Sequence, residues 1–181
     1  MIAAALLLAL AAPGDPPPAG ARAPAASPAA QAAAKSLSFE PKTQVENNML
    51  QVVVGQRAVF TIEGGRPKLE KVEDGRLAAA HSPGKVKETF AAPATGQVAA
   101  AFDASSERKV SVLKVWNAGT RPLDFRLIAL ALANGKLTPV PINFCAVAPG
   151  GVRSQEWPAP ILAVALSRFT TEADDPPACR N

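Results

Sequence analysis

The sequence contains few of the residues that build metal and redox sites. Its 181 residues include one His, two Cys, two Trp and no Tyr. One imidazole and two thiols fall short of the four ligands that the usual zinc and iron–sulfur sites require. No apolar run reaches about 18 residues, the length at which a segment is read as a transmembrane helix. The sequence therefore predicts no metal, no other cofactor and no stable transmembrane span in the mature chain.

The charge of the chain is modest and its signs are mixed. Lys and Arg exceed Asp and Glu by four, and acids and bases alternate in stretches such as Glu107-Arg108-Lys109. A nucleic-acid surface would need clustered Lys and Arg with aromatic side chains for stacking. Neither is present, so we expect a solvated surface and no nucleic-acid partner.

The first 35 residues differ in composition from the rest and predict an export leader. Residues 1–12 resemble a signal peptide, with an apolar run of suitable length but no Lys or Arg before it. An Ala-rich N-terminus that is buried or disordered is the alternative. Residues 13–35 are rich in Ala and hold six Pro, which predicts a disordered tether or a pro-peptide. These features predict a periplasmic or secreted protein.

The two cysteines, Cys145 and Cys179, are the only pair available for a disulfide. An exported chain meets an oxidising environment, which favours a structural bond that closes a loop of about 35 residues. A redox-active pair is the alternative, but the sequence has no Cys-x-x-Cys motif to lower a thiol pKa.

Residues 36–181 have the length of one domain and the pattern of an all-β protein. Turn signals such as Gly64-Gly65 separate short segments that are rich in Val, Ile, Phe and Thr. Apolar and polar residues alternate in 57–62, 86–90 and 98–102, as half-buried strands require. We predict an antiparallel β-sandwich of about seven to nine strands.

Three segments carry more specific predictions. Residues 110–116 are apolar on both faces, which indicates an inner strand, and the turn that follows predicts a β-hairpin over residues 109–132. Residues 69–80 are ambiguous between a helix and other structure because Gly75 interrupts the pattern. Residues 161–169 are apolar throughout, and their short length after two prolines favours a strand over a helix.

Part of the chain resembles known proteins. The segments Val115-Trp116-Asn117 and Arg121-Pro122-Leu123 resemble the strand and turn of bacterial immunoglobulin-like sandwiches. Residues 144–151 and 156–161 resemble segments of secreted bacterial proteins whose activity is uncharacterised. The resemblance covers residues 109–169 and implies an exported immunoglobulin-like β-sandwich, with no catalytic residue to transfer.

Few residues stand out as candidates for chemistry. His81 is the only imidazole base, and a hydrolase would require it beside a hydroxyl and a carboxylate. No Gly-x-Ser-x-Gly elbow marks a nucleophile, so we assign no catalytic residue. Trp157 lies among prolines, and with Arg153 and Glu156 it is the candidate site for a small ligand or glycan. The alternative is a Trp that closes one end of the sandwich.

The sequence therefore predicts a non-enzymatic binding or structural module of the bacterial cell envelope. Its expected partner is an envelope protein or a glycan. A small-ligand site at Trp157 is the second hypothesis, and a hydrolase around His81 is the third.

Overall fold

The computed structural model describes residues 42–133, 136–158 and 161–171, which form ten antiparallel β-strands in two sheets. The predicted leader segments 1–12 and 13–35 lie outside the described residues. In chain order the strands are β1 Gln44–Glu46, β2 Met49–Val53, β3 Gln56–Glu63, β4 Arg66–Asp74, β5 Val98–Ser105, β6 Val110–Asn117, β7 Asp124–Ala133, β8 Lys136–Ile142, β9 Val152–Trp157 and β10 Ile161–Thr170. The predicted all-β antiparallel sandwich is confirmed, with ten strands in place of the expected seven to nine.

Each sheet contains five strands. The first sheet has the order β1-β2-β10-β7-β8 and the second has the order β4-β3-β5-β6-β9. β6 lies between β5 and β9, so the prediction of an inner strand is confirmed. The predicted hairpin over residues 109–132 is wrong, because β6 and β7 belong to different sheets.

The turn after β6 carries the chain from one sheet to the other. The Asn117 side-chain amide donates hydrogen bonds to the carbonyls of Arg121 (2.8 Å) and Val147 (3.1 Å). Leu123 and Val147 then form an isolated antiparallel bridge. These bonds satisfy the backbone groups of a turn that crosses between the sheets. In a hairpin, these groups would have been satisfied by hydrogen bonds between β6 and β7.

The inner faces of the two sheets enclose the main apolar core. Ala58 and Phe60 of β3 and Val98, Ala100 and Phe102 of β5 point into it, which confirms the alternation expected for these strands. Four aromatic rings fill one part of this core. They form a stacked pair, Phe125–Phe144, with centroids 5.3 Å apart, and an edge-on pair, Phe60–Phe169, at 5.6 Å.

A second apolar cluster lies on the outer face of the second sheet. The β4–β5 connection, residues 75–97, places Leu77, Ala80 and Phe90 in this cluster. Their buried partners come from the sheet: Val59, Ala99, Ala101, Val112 and Trp116. The connection therefore acts as a third layer over this face, and the inner strands β3, β5 and β6 are buried on both sides.

The structure of this connection corrects one expectation and resolves another. Residues 69–74 continue β4, and a short 3₁₀ turn, Ala78–Ala80, follows, so residues 69–80 form no α-helix. The strand expected at residues 86–90 is absent, because this segment packs as an unpaired part of the connection. Gly75 allows the chain to leave β4, since a Cβ there would collide with the Phe90 ring.

Residues 161–169 belong to β10, which confirms the preference for a strand. β10 pairs with both β2 and β7, so its apolar residues line an inner position of the first sheet. The described ranges contain no helix that is long and apolar enough to cross a membrane.

The edges of both sheets carry features that oppose pairing with another chain. β1 has only three residues. β8 contains Pro139 and Pro141, and β4 contains Pro67 among charged residues. β9 carries Arg153 and Glu156. We therefore look for a binding surface at the ends of the sandwich and not along its sheet edges.

The difference in burial between two leucines predicts a large difference in how much each contributes to stability. Leu113 on β6 is 0% exposed, whereas Leu137 on β8 is 36% exposed. We expect Leu113→Ala to lower the free energy of unfolding by about 2–5 kcal/mol, because it leaves a cavity in the core. Leu137→Ala should cost less than about 1 kcal/mol. Urea denaturation of both variants measures this, and equal losses would contradict the assigned core.

Candidate functional site

The residues nominated for binding from the sequence lie together on β9 but not on one face. Arg153 pairs with Val115 of the inner core, and Glu156 pairs with Val112 of the outer cluster. Because successive side chains in a strand point to opposite faces, Arg153 and Trp157 share the inner face and Glu156 lies on the outer face. Arg153 and Trp157 are four residues apart, a distance of about 13 Å along the strand.

The contacts of Trp157 and Glu156 are structural. Trp157 is half-buried and packs against the main core. The Glu156 carboxylate lies 3.3 Å from the Arg108 guanidinium, which also donates to the carbonyl of Ala79 at 2.5 Å. Glu156 therefore helps to fasten the β4–β5 connection to the edge of the sheet. Ligand binding through Trp157 stays a prediction.

The fully buried carboxylate of Asp103 on β5 is the centre of a polar cluster. Its Oδ2 accepts from the backbone N–H of Leu77 (2.9 Å) and lies 2.9 Å from Nε2 of His81. Its Oδ1 accepts from the backbone N–H of Ala104 (2.8 Å) and from the Arg76 guanidinium (3.3 Å). Three of these four partners belong to the β4–β5 connection, so Asp103 anchors that layer to the second sheet.

Among the described residues, a carboxylate lies beside the His81 ring but a nucleophile does not. Ser82, the adjacent hydroxyl, donates to Glu107 at 3.3 Å. No hydroxyl of the described residues lies within hydrogen-bonding distance of the His81 ring, and His81 lines neither of the cavities described below. Within the same ranges no cluster of three His, Cys, Asp or Glu side chains could hold a metal ion. The hydrolase hypothesis lacks its third group here.

A second polar clamp also holds the β4–β5 connection. The buried Arg57 guanidinium lies between the rings of Phe90 and Trp116, 5.2 and 5.8 Å from their centroids, and its Nε donates to Glu73 at 2.6 Å. A hydrogen bond from Lys71, together with Arg57 and against the effect of burial, holds the pKa of Glu73 below its ordinary value of 4.5. Glu73 therefore stabilises the fold fully above about pH 4.5 and progressively less as the pH falls through its lowered pKa.

A groove of about 750 Å³ opens at the end of the sandwich away from Trp157. It lies where β7 begins and where β8 and β10 end. Its lining combines apolar rings with charged and amide side chains: residues 124–128, 141–146, 167, 168 and 170. We call it the arginine groove, because Arg126 and Arg168 are its exposed cationic side chains.

A β-bulge places Arg168 at this groove. The register between β10 and β7 shifts between Ser167 and Thr170, and Arg168 has a left-handed backbone with φ of 53°. Such a conformation costs about 1 kcal/mol or more for a residue other than glycine. Bulges often redirect a side chain out of the alternating pattern. Arg168 lines both the groove and an adjoining shallow cavity that includes Arg66.

The arginines at this end differ from those beside the β4–β5 connection. The latter each pair with a carboxylate: Arg57 with Glu73, Arg76 with Asp103 and Arg108 with Glu156. Among the described residues no carboxylate lies within 4.0 Å of the guanidinium groups of Arg66, Arg126 or Arg168. The nearest acid in the lining is Asp124, whose Oδ1 accepts from the N–H of Phe125. Within the described part of the chain, the guanidinium groups at this end therefore have no ion-pair partner.

Cys145 also lines the arginine groove and is half-buried. Cys179, the partner expected from the sequence, lies outside the described residues. The predicted disulfide therefore stays a prediction.

A scan of protein-family models and searches of curated proteins and solved structures find no match to this chain. The immunoglobulin-like resemblance of residues 109–169 remains a prediction beyond the β-sandwich itself.

Sequence reasoning missed the arginine groove. Arg126 and Arg168 are far apart in the chain, and they come together only because Ser167 pairs with Arg126 across β10 and β7. No local motif marks this pairing. The sequence alone does not give the register in which these two distant strands pair.

The anchor at Asp103 predicts a strong response to a small chemical change. Asp103→Asn keeps the shape of the side chain but turns one acceptor into a donor that faces N–H groups. We expect the free energy of unfolding to fall by about 2–4 kcal/mol in urea denaturation. Asp74→Asn is the matched control, since Asp74 is exposed and accepts a single hydrogen bond, from Gln56. A similar small loss in both variants would show that Asp103 is no anchor.

Proposed function

We propose that this protein is an exported, non-enzymatic binding module of the bacterial cell envelope, and that the arginine groove binds an acidic ligand. The observation that carries the proposal is the Arg168 bulge, which holds an exposed guanidinium at the junction of two cavities, more than 4.0 Å from every carboxylate of the described residues. Strained backbone is often retained at binding sites. The leader-like residues 1–12 support export.

The shape of the groove supports a ligand of small or moderate size. Its volume lies within the range of about 300–1,000 Å³ that small-molecule sites occupy. Phe125 and Phe144 stack against each other in its lining, and Asn143 adds an amide at its rim. Apolar rings with a few polar groups can bind the body of a ligand while the arginines bind its charged group.

The charge of the groove supports an acidic group on that ligand. A guanidinium presents a planar set of donors that matches carboxylate and phosphate oxygens in pairs. Arg126 and Arg168 are both exposed, and within residues 42–133, 136–158 and 161–171 neither forms an ion pair that a ligand would have to break. We therefore propose a carboxylate-bearing or phosphate-bearing component of the envelope as the ligand class.

The proposal predicts a loss of binding when the two groove arginines are neutralised. Binding of polyglutamate and of inorganic polyphosphate to the full chain is measured by isothermal titration calorimetry at two salt concentrations. We expect Arg126→Gln/Arg168→Gln to weaken binding about tenfold or more, equivalent to about 1.4 kcal/mol per factor of ten. Higher salt should weaken binding of the unaltered chain.

Arg121→Gln is the control, because Arg121 is exposed in the turn after β6 and does not line the groove. An equal loss in the control and the double variant would indicate general charge attraction and overturn the proposed site. Absence of binding to any acidic probe would overturn the ligand class.

We also propose that Cys145 and Cys179 form a disulfide. Closing a loop of about 35 residues stabilises a folded chain by about 3.5–4 kcal/mol in the loop-entropy treatment. Cys145→Ser and Cys179→Ser should each lower the free energy of unfolding by about this amount, and iodoacetamide should label neither cysteine of the unaltered chain before reduction. The double variant should be insensitive to dithiothreitol. Alkylation of the unreduced chain would contradict the bond.

A further inference from the structure

A second cavity adjoins the arginine groove and shares two of its residues. Ser167 and Arg168 line both the groove and this shallower cavity, which has a volume of about 420 Å³. We call it the turn cavity, because the β1–β2 turn and the β3–β4 turn form its walls. The two cavities meet at the Arg168 bulge, so one ligand can contact both of them.

Tight turns from both sheets bound the turn cavity. Asn47 and Asn48 connect β1 to β2, and Gly64 and Gly65 connect β3 to β4. All four have positive φ, which is typical of two-residue turns that match the twist of paired strands. The β3–β4 turn also packs against β10, since a Cβ on Gly65 would lie 3.2 Å from the Phe169 carbonyl oxygen. The ends of both sheets therefore meet at this cavity.

The two turns differ at their second position. Gly is favoured there, and the β3–β4 turn has Gly65. The β1–β2 turn has Asn48, which is exposed and has φ of 61°. Asn adopts a left-handed backbone more readily than most residues, but Gly does so without steric cost. Asn48 therefore brings a side-chain amide to the cavity at a position where Gly would serve the turn as well.

The polar groups along the joined cavities are of two kinds. Arg126 lies in the groove, Arg168 at the junction and Arg66 in the turn cavity. Asn48 adds an amide and Ser167 adds a hydroxyl. Amides and hydroxyls donate and accept hydrogen bonds, as sugar hydroxyls do, whereas guanidinium groups pair with carboxylates. The lining therefore matches a ligand that repeats hydroxyl and carboxylate groups.

We propose that the ligand is an acidic glycan, a chain of uronic acid units that occupies both cavities. Its carboxylates bind Arg126, Arg168 and Arg66. Its hydroxyls form hydrogen bonds with Asn48 and Ser167. This inference deepens the proposed function and rests on it for the role of the groove. It extends the site to the turn cavity and narrows the ligand class to linked sugar acids.

A chain of linked units also suits the weakness of each single contact. An ion pair between exposed groups contributes little, so one sugar acid in one cavity would bind poorly. Linkage makes the second contact intramolecular, with an effective concentration in the millimolar range. Because Ser167 and Arg168 belong to both cavities, a short chain is enough to contact both.

A length series of one sugar acid tests the inference on the full chain. The probes are galacturonic acid and its linear trimer and hexamer, and isothermal titration calorimetry at fixed salt measures their affinities. We expect the hexamer to bind about 30-fold or more tightly than the monomer, beyond the increase that the number of units alone would give. An affinity that does not rise with length would overturn the inference.

Two variants test the turn cavity itself. We expect Asn48→Gly and Arg66→Gln each to weaken hexamer binding about three- to tenfold, as for the loss of one or two hydrogen bonds. Asn48→Gly should not lower the urea midpoint of unfolding, because Gly is favoured at this turn position. Polyphosphate has no hydroxyl groups and should lose less affinity in Asn48→Gly than the hexamer does. Unchanged hexamer binding in both variants would overturn the inference, and an equal loss for polyphosphate would overturn the glycan class.

Lys109→Gly is the matched control. Lys109 is exposed, has φ of 55° and lies in the β5–β6 turn, outside both cavities. The variant removes a cation and a left-handed residue other than Gly, which are the two changes that the test variants make separately. It should bind the hexamer as the unaltered chain does. A loss equal to that of the test variants would overturn the site.

The outcome is separable from that of the proposed function. If polyphosphate binds through Arg126 and Arg168 but Asn48→Gly and Arg66→Gln leave hexamer binding unchanged, the proposed function stands and the inference fails. If Arg126→Gln/Arg168→Gln leaves hexamer binding unchanged while both turn-cavity variants weaken it, the proposed function of the groove fails and the glycan site of the turn cavity stands.

Discussion

The inner strands of the second sheet, β3, β5 and β6, are buried on both faces, and the rest of the molecule is arranged around that constraint. β5 and β6 carry apolar residues on both sides, so the inner face needs the first sheet and the outer face needs a separate layer. The β4–β5 connection provides that layer without regular structure of its own. The buried carboxylate of Asp103 accepts from the Leu77 N–H and the guanidinium of Arg57 donates to the Ala91 carbonyl, and these bonds hold the connection on the sheet.

This requirement divides the polar residues of the protein into two groups. Those near the connection are used to hold it: His81 contacts Asp103, and Glu156 reaches the same layer through Arg108. Their spacing in the sequence is compatible with catalysis or ligand binding, but their contacts in the structure are internal. The opposite end has no such layer to hold. Its arginines form no ion pair with the residues that the structure describes, which is why the groove carries the proposal.

The sequence revealed the local pattern and missed the pairings between distant segments. Alternation in β3 and β5 identified the residues of the core because strand periodicity is a local property. The crossing after β6 was predicted as a hairpin, since Asn117 and Gly119 suit a turn of either kind, and only the positions of β7 and β10 decide between them. Segment 86–90 alternates like a strand but pairs with no strand of the described sheets. Periodicity predicts which side chains are buried, but it does not predict which segments pair through backbone hydrogen bonds.

The difference between local pattern and strand pairing also explains why the sequence indicated a site at Trp157 and the structure indicates one at Arg168. A Trp among prolines is conspicuous in a sequence, whereas an Arg near the end of an apolar strand resembles a solvated strand terminus. The bulge in β10 determines the position of Arg168. Its left-handed backbone takes the side chain out of the alternating pattern and toward the groove beside Arg126. A strained position of this kind persists when its neighbours over-determine it. Pairing of β10 with both β2 and β7 provides that restraint and fixes the guanidinium where two cavities meet.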